Sequence, residues 1–240
     1  MRKQQSVGVV KRGLMAALVM CAAAGCGDRP PSQQQSLQQA RSALAAKQYQ
    51  AAGIALKSYL QAQPQDAEAR LLLASALLES NDFVSAEKEL RKALELGISR
   101  ERVEPMLARA LIEQGEFKKL VQEIDAKRVN DVSARAEVLA SLGRAYLGIG
   151  EQELASQQFV AALKLQPTLP AAMLGAVRIL IANGELDAAL RSLNDLLARD
   201  PQLADGFALR AGMLRERGQL AEAAADYQQV LKLKPDDINA

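Results

Sequence analysis

The sequence predicts an all-α fold, a right-handed superhelical solenoid built from about six helix-turn-helix units. Three observations support this prediction. A spacing of 34 residues recurs in three prolines, Pro167, Pro201 and Pro235. The same spacing recurs in three glycines, Gly150, Gly184 and Gly218. Apolar residues follow helical spacing on both sides of each glycine, and a fixed period of this length is typical of stacked helical repeats.

The period extends toward the N-terminus and divides the chain into units. Gly115 precedes Gly150 by 35 residues, and Pro64 stands two periods of 34 and one of 35 before Pro167. The units are residues 33–66, 67–100, 101–135, 136–169, 170–203 and 204–237. We therefore predict a solenoid over residues 37–240, in which each unit has a first helix (helix A), a turn and a second helix (helix B).

Small residues recur at two places in the unit. The eighth place, in helix A, holds Ala40, Ala74, Ala108, Gly143 and Ala211, with Val177 as the exception. The twentieth place, in helix B, holds Ala52, Ala86, Ala155, Ala189 and Ala223, with Leu120 as the exception. Because two helices approach closely only where side chains are small, these places predict the crossing of helix A over helix B.

Two further places predict where the helices end. The fifteenth place of the unit holds Lys47, Asn81, Gly115, Gly150, Gly184 and Gly218. A left-handed residue, most often glycine, commonly follows the end of a helix, so this place predicts the end of helix A. The proline column predicts the end of helix B, because proline cannot continue a helix.

The clearest copies of the repeat lie in the second half of the chain. They read LASLGRAYLGIGEQELASQQFVAALKLQP (139–167) and LRERGQLAEAAADYQQVLKLKP (214–235). These stretches resemble the tetratricopeptide repeat (TPR), a helical hairpin of 34 residues, and the resemblance covers residues 33–237. The third unit departs from it, because Leu120 replaces the small residue and DAKRVNDVSA, after Ile124, lacks the helix B pattern. We expect a shortened or irregular helix B there, which would allow a bend in the stack.

The first 25 residues have the features of an export signal. Their basic side chains are Arg2, Lys3, Lys11 and Arg12, with no acid among them. An apolar run of 12 residues follows at 13–24, which is typical of a secretory signal and too short for a comfortable membrane span. We predict that residues 1–25 are a lipoprotein signal peptide and that the remainder faces the bacterial periplasm. Removing the signal changes the formal charge from +2 to −2.

Cys26 is the predicted site of lipid attachment. It follows Ala23-Ala24-Gly25, and small residues before an acylated Cys are typical of bacterial lipoproteins. Cys21 fits this pattern badly, since Met20 stands in the place of a small residue. An ordinary signal peptide with an incidental Cys, or an uncleaved anchor, is the alternative interpretation.

Residues 26–36 are predicted to form a polar tether that links the lipid to the solenoid. The partner at this end of the chain would be a lipid membrane, bound through acylated Cys26. In bacterial lipoproteins an Asp directly after the Cys retains the protein at the inner membrane. Here Gly27 takes that place and Asp28 follows it, which favours the outer membrane over the inner one.

A closer resemblance lies in the second and third units. DFVSAEKELRKALELG (82–97) and LARALIEQGEFKKLVQEI (107–124) resemble the N-terminal part of the PrsT family. These are TPR lipoproteins of the exosortase/PEP-CTERM system, which is linked to exopolysaccharide production. Members of that family are considerably longer, and no polar cap is evident at the last unit, so we expect a truncated or split member.

The composition excludes several kinds of catalytic site. The chain has no His and no Trp, and aromatic residues make up 3% of it. Without His, catalytic sites of the Ser-His-Asp and Cys-His kinds and ordinary zinc-hydrolase sites are excluded. No glycine-rich phosphate loop or metal-ligand cluster stands out, so we expect no enzyme activity, no cofactor and no metal. The charge of −2 after signal removal argues against nucleic acid as a partner.

The TPR resemblance implies that the inner surface of the helix A stack binds a protein or peptide, through the second, fifth, ninth, twelfth and thirteenth places. The ninth place holds Arg41, Ser75, Arg109, Arg144, Arg178 and Gly212, and Arg215 follows one turn later. Guanidinium groups suit carboxylates, phosphate-like groups and acidic sugars, so the five arginines are candidate ligand-binding residues. Alternatively, they pair with Glu residues in neighbouring units or four places on. Candidates for such pairs are Arg109–Glu113 and Arg144–Glu137.

These features favour a non-catalytic scaffold that mediates protein–protein interactions in the cell envelope. The family resemblance implies a role in exopolysaccharide biosynthesis and PEP-CTERM protein sorting. Two alternatives stay open at this point. One is a pilotin-like outer-membrane lipoprotein for pilus or secretin assembly, and the other is a direct binder of anionic polysaccharide.

Overall fold

The chain folds as a stack of helical hairpins. The computed structural model describes residues 33–235, and this range contains twelve α-helices, one 3₁₀ turn at Ala126–Arg128 and no strand. The helices are α1 (Gln33–Ala45), α2 (Tyr49–Ala62), α3 (Ala67–Glu79), α4 (Phe83–Glu95), α5 (Arg100–Glu113), α6 (Phe117–Glu123), α7 (Val132–Gly148), α8 (Gln152–Leu165), α9 (Pro170–Ala182), α10 (Leu186–Arg199), α11 (Ala204–Glu216) and α12 (Leu220–Leu233).

The odd-numbered helices are the helices A and the even-numbered ones are the helices B. Each helix A contacts its own helix B and, from α3 onward, the helix B of the preceding unit. This pattern confirms the predicted all-α solenoid of six hairpins. The predicted signal peptide, Cys26 and most of the predicted tether lie outside the described residues.

The small residues of the eighth and twentieth places are buried in the structure. Those of helix A, namely Ala40, Ala74, Ala108 and Ala211, are fully buried. Those of helix B, namely Ala52, Ala86, Ala155, Ala189 and Ala223, are buried as well. The two exceptions, Val177 and Leu120, are also buried. Both columns therefore have the burial that a helix crossing requires.

Every helix A is followed by a residue with positive φ, as the fifteenth place predicts. The angle is 57° at Lys47 and 61° at Asn81, and it lies between 75° and 85° at Gly115, Gly150, Gly184 and Gly218. Backbone amides close each end in the Schellman pattern. At α5, for example, the Glu116 N–H donates to the Leu111 carbonyl at 2.8 Å and the Gly115 N–H donates to the Ile112 carbonyl at 2.9 Å.

Lys47→Gly is expected to stabilise the first unit by about 0.5–1 kcal/mol. A side chain in the left-handed region is strained, and glycine adopts that region at no steric cost. Lys57→Gly is the matched control, because Lys57 is also exposed but lies within α2. There glycine should destabilise by about 1 kcal/mol, since it is a poor helix former. Urea unfolding followed by far-UV circular dichroism measures the change in unfolding free energy of both variants. Changes of the same sign would contradict the assignment of Lys47 to a strained left-handed position.

The second helix of the third unit is short, which confirms the expectation for this unit. Helix α6 has seven residues, and the chain leaves it at Ile124 in an extended conformation. Leu120 fills the crossing with a larger side chain that is fully buried. The missing turns are replaced by the 3₁₀ turn and by Val129, which is also fully buried. Asp131 then caps α7, since its side chain accepts a hydrogen bond from the Ala134 N–H at 2.8 Å.

The core of the fourth and fifth units is built around one aromatic ring. Phe159, on α8, is the largest fully buried side chain in the described part of the chain. Its ring lies against Gly143 of α7 and Gly175 of α9. A Cβ at either glycine would fall within 2.5 Å of ring carbons, so the absence of that atom is what admits the ring. The glycine at the eighth place is thus a packing requirement of this unit.

Candidate functional site

The four central helices A lie side by side. Helices α3, α5, α7 and α9 contact one another in order. We call the surface that carries the second, fifth, ninth, twelfth and thirteenth places of the helices A the helix A groove. The side chains described next reach from one helix to the next across this surface, which shows that the second, ninth and thirteenth places share a face.

Three ion pairs cross the groove in its first half. Both guanidinium Nη atoms of Arg102 donate to the Glu68 carboxylate, and the Nη2 to Oε2 distance is 2.7 Å. The Arg109 Nη1 atom lies 2.6 Å from Glu79 Oε1. These two pairs join α3 to α5, and a third pair joins α5 to α7. We call the three pairs Glu68–Arg102, Glu79–Arg109 and Glu113–Arg144 the ion-pair ladder.

The pairing partners differ from the candidates named from the sequence. Arg109 pairs with Glu79 and not with Glu113, and Arg144 pairs with Glu113 at 3.5 Å and not with Glu137. The reason is the stacking of the units, which places the thirteenth residue of one helix A beside the ninth residue of the next. The more general alternative, pairing with Glu in neighbouring units, is confirmed for both arginines.

The ladder stops at Arg178. The thirteenth place of the preceding helix A is Gly148, where the second and third units have Glu79 and Glu113. A Cβ at Gly148 would lie 2.4 Å from the Phe117 ring, so this ring takes the space that a Glu side chain would need. Within residues 33–235, Arg178 makes no ion pair, although its side chain is half-buried.

The surroundings of Arg178 are electrostatically mixed. Burial lowers the pKa of Arg178, the nearby Arg144 charge lowers it further, and Asp205 opposes this effect. Asp205 itself accepts a hydrogen bond from Lys234 Nζ at 2.6 Å. Burial acts to raise the pKa of Asp205, but Lys234, Arg178 and Arg144 together lower it. Arg144, Arg178 and Asp205 are therefore close enough to influence one another's charge.

Glu137 adds an acid to the same helix as Arg144. Burial raises the pKa of Glu137, and the negative charge of Asp131 raises it further. The Glu137 side chain is nevertheless open to water. A groove explains this combination, because it surrounds a carboxylate with protein and still leaves one side open.

Glu137→Gln and Asp205→Asn are expected to shift stability in opposite directions at pH 7. The raised pKa of Glu137 means that its ionised form destabilises the fold, so glutamine should stabilise by a few tenths of a kcal/mol, roughly. The lowered pKa of Asp205 means that ionisation contributes stability, so asparagine should destabilise by up to about 1 kcal/mol. The difference at Glu137 should disappear below about pH 4, where its carboxyl is protonated in the folded and unfolded states. The difference at Asp205 should disappear only at lower pH, because its lowered pKa keeps the carboxylate ionised in the folded state. Urea unfolding midpoints of the two variants, measured between roughly pH 3 and pH 7, test this prediction. Stability changes of the same sign at neutral pH would contradict it.

The remaining candidate arginines lie apart from this cluster. Arg41 is separated from Arg109 in the ninth-place column by Ser75, and its charge acts on Asp66 and Tyr59. Arg215 is exposed and occupies the twelfth place of the last unit, where the ninth place is Gly212. The structure thus brings Arg144 and Arg178 together and leaves Arg41 and Arg215 at the two ends.

Sequence reasoning missed the pair Glu68–Arg102 and the isolation of Arg178. Both could have been found by comparing columns between adjacent units. Glu79 precedes Arg109 by 30 residues and Glu113 precedes Arg144 by 31, but Gly148 precedes Arg178. The relevant signal is an acid at the thirteenth place of one unit together with an arginine at the ninth place of the next. A search for pairs within one helix does not reveal it.

The groups in the groove can hold anions and form ion pairs. In the range that the structure describes, no cluster of three His, Cys, Asp or Glu side chains could hold a metal ion. No helix of that range is long and apolar enough to cross a membrane.

Comparison with known proteins gives curated and structural relatives. Over 196 residues the chain is 22% identical to the Protein CTR9 homolog of Arabidopsis thaliana, a match that covers 74% of this chain and 17% of that protein. The solved structure of Pseudomonas aeruginosa pilF has a TM-score of 0.58 and 21% identity, covering 86% of this chain and 93% of that one. The solved structure of the type IV pilus biogenesis factor PilW has a TM-score of 0.57 and 18% identity, and the match covers 86% of this chain and 95% of that one. At these identities the likeness shows the fold.

The family is shown by models of the repeat itself. Tetratricopeptide repeat models match residues 43–97, 140–204 and 174–238. Together these ranges include more than half of the chain. They cover parts of every unit except the third, residues 101–135. The chain therefore belongs to the tetratricopeptide repeat family, whose fold is typical of non-catalytic scaffolds for protein–protein interaction.

Proposed function

We propose that this chain is a non-catalytic scaffold lipoprotein of the cell envelope, which captures a segment of a partner protein in the helix A groove. Membership of the tetratricopeptide repeat family supports a scaffold. One observation of the structure supports the groove as the binding surface. Arg178 is half-buried there without an ion-pair partner in the described range, whereas Arg102, Arg109 and Arg144 are each paired.

The proposed location is the periplasmic face of a membrane, with acylated Cys26 as the anchor. The small residues before Cys26 and the basic segment before the apolar run support this assignment. A lipid anchor would fix the scaffold at the surface where its partner works, and so raise the effective concentration of both. Cys26→Ser should abolish metabolic labelling with an alkyne-tagged fatty acid, and labelling that persists would contradict the anchor.

The proposed process is exopolysaccharide biosynthesis with its linked PEP-CTERM protein sorting. This assignment rests on the sequence resemblance of residues 82–97 and 107–124 to the PrsT family. Deleting the gene should reduce secreted polysaccharide and the surface display of PEP-CTERM proteins, and the gene without its lipid-attachment Cys should not restore them. Unchanged polysaccharide and sorting would contradict this process.

Pilus or secretin assembly is the second candidate process. The observation that favours it is overall architecture, because the structure matches PilF and PilW over 93% and 95% of their lengths. Under this alternative the deletion strain should lose surface pili or secretin multimers while its polysaccharide stays at the wild-type level. The two phenotypes therefore separate the two processes.

A steric plug in the groove tests partner capture directly. Gly212 occupies the ninth place of α11, and a Cβ there meets no atom within 4 Å. Gly212→Trp should therefore fill groove space without disturbing the core. The matched control is Ile54→Trp on α2, where the native side chain is already 72% exposed.

Capture is measured by affinity purification of crosslinked complexes from envelope extracts, with quantitative mass spectrometry. Proteins enriched by the wild type and by Ile54→Trp should be lost from Gly212→Trp. Far-UV circular dichroism should be unchanged in both variants. Equal recovery of every enriched protein with Gly212→Trp would overturn groove binding.

A further inference from the structure

We infer that Arg178 is the anion-binding residue of the helix A groove, and that its ligand is a single carboxylate on an acidic side chain of an extended partner segment. The inference rests on the proposed function, because it names the chemistry that the groove recognises. It begins from a regularity of the ladder. An acid at the thirteenth place of one helix A neutralises the arginine at the ninth place of the next.

The break in this regularity is built into the fold. At the step from α7 to α9 the acid is replaced by Gly148, and the Phe117 ring fills the space beside it. A Glu there would collide with the ring, so the chain itself cannot supply the missing anion from this position. A half-buried guanidinium without a direct ion pair is costly, because buried charges are normally paired. A carboxylate on a bound ligand would supply the anion that Glu79 and Glu113 supply to Arg109 and Arg144.

The other charges near Arg178 leave it available. Lys234 holds Asp205 at 2.6 Å. Glu113 holds Arg144 at 3.5 Å, which is a looser contact than the 2.6 Å between Glu79 and Arg109. Arg144 can therefore add favourable charge while Arg178 makes the direct contact. The strongest recognition of a carboxylate by Arg uses two parallel hydrogen bonds.

The same surroundings favour one carboxylate over a polyanion. Glu137 lies on the same helix as Arg144 and makes no ion pair within the described residues, so a polymer with a negative charge on every residue would meet repulsion there. None of the five groove places carries an aromatic residue in any of the six units. Stacking of sugar rings on aromatic faces is thus absent from these places, which argues against a polysaccharide.

The apolar and small residues of the groove suit a polypeptide. Leu147 and Ile181, at the twelfth places of α7 and α9, are half-buried and offer apolar surface. Gly212 leaves open space at the ninth place of α11. An extended segment with one acidic side chain between small or apolar neighbours would fit this sequence of contacts.

The probe is a membrane-bound array of 12-residue peptides in matched pairs that differ only in a central Glu or Gln. The detergent-solubilised full chain is applied as wild type, Arg178→Gln or Arg109→Gln. Arg109→Gln is the matched control, because Glu79 already neutralises Arg109. Wild type and Arg109→Gln should retain the Glu members of bound pairs about tenfold more strongly than the Gln members, and Arg178→Gln should show no preference.

Charge reversal provides a second and independent readout. Arg178→Glu should lose the Glu peptides and prefer versions of the same peptides with a central Lys. The absence of any Glu preference in the wild type, or a preference that survives Arg178→Gln, would overturn the inference. A third result would also overturn the inference, namely that no peptide pair is discriminated while alginate retards the protein in affinity electrophoresis and this retardation depends on Arg178. The ligand would then be a polysaccharide.

The outcomes also separate this inference from the proposed function. If Gly212→Trp abolishes partner capture in envelope extracts while Arg178→Gln retains it, the groove is correct and the assignment of Arg178 is wrong. If neither substitution changes capture, both the groove and the residue are wrong. If both substitutions abolish capture, and the peptide array shows the Glu preference, the groove and the assignment of Arg178 are both supported.

Discussion

Gly175→Ala is expected to destabilise the protein by about 2 kcal/mol or more. The added Cβ would lie 2.1 Å from the nearest carbon of the Phe159 ring and within 2.4 Å of two others. The ring is fully buried, so moving it would displace the side chains that surround it. Overpacking of this kind typically costs about 1–3 kcal/mol, and here three ring carbons must shift at once.

Gly212→Ala is the matched control for this prediction. Gly212 also lies within a helix A, but an added Cβ meets nothing within 4 Å. Alanine should therefore stabilise the helix by about 0.5–1 kcal/mol, the usual gain over glycine. The two variants make the same chemical change and should have opposite signs in urea unfolding.

A second substitution tests the cause of the Gly175→Ala effect. Phe159→Leu alone should destabilise by leaving a cavity, roughly 1–3 kcal/mol for the lost ring atoms. If the clash with Phe159 is the cause, the double variant should be more stable than the sum of the single effects predicts. Strict additivity would show that the loss at Gly175 has another origin.

Arg210→Met is expected to destabilise the last unit by about 3 kcal/mol. Arg210 donates to both oxygens of Asp226, from Nε and from Nη2, at 2.7 Å each. A third donation, from Nη1 to Asn194 Oδ1, links α11 to α10 at 2.7 Å. Asp226 is 5% exposed, so removing the guanidinium would leave its carboxylate buried and unpaired.

Arg217→Met is the control, because Arg217 makes an ion pair with an exposed partner. Its Nη2 atom lies 2.6 Å from Asp187 Oδ1, and the Asp187 side chain is 78% exposed. Water can replace the guanidinium there, so the loss should be below about 1 kcal/mol. Hydrogen exchange of the α11 and α12 amides locates the effect. The double variant Arg210→Met/Asp226→Leu should recover most of the stability, and failure to recover would assign the loss to packing.

The positions at which the helices end were predictable from the sequence. They depend on local backbone chemistry, such as the left-handed residue after helix A and the proline after helix B. Even Lys47 and Asn81, which are not glycine, adopt the positive φ that their place in the repeat requires. The shortened helix of the third unit was predictable for the same reason, since the pattern of residues fails within a few positions of Leu120.

The pairing of charged side chains was not predictable from one helix. Arg109 and Arg144 have acids at helical spacing within their own helices, yet both reach across to the preceding unit. The choice depends on the distance between stacked helices, which is a property of the assembled solenoid. Arg178 therefore differs from Arg109 and Arg144 in having no ion pair among the described residues, and this difference becomes visible only when the thirteenth place of the preceding unit is considered.

The sequence alone determined the repeat, the hairpin, the crossing of its helices and the points where they stop, because each of these follows from contacts within about 34 residues. The tertiary structure decided what the units do to one another. It placed the Phe159 ring against Gly143 and Gly175, and it placed the Phe117 ring against Gly148, where the side chain of an acid would have to begin. These outcomes depend on side chains from different units competing for the same space, and no single period of the sequence contains both competitors.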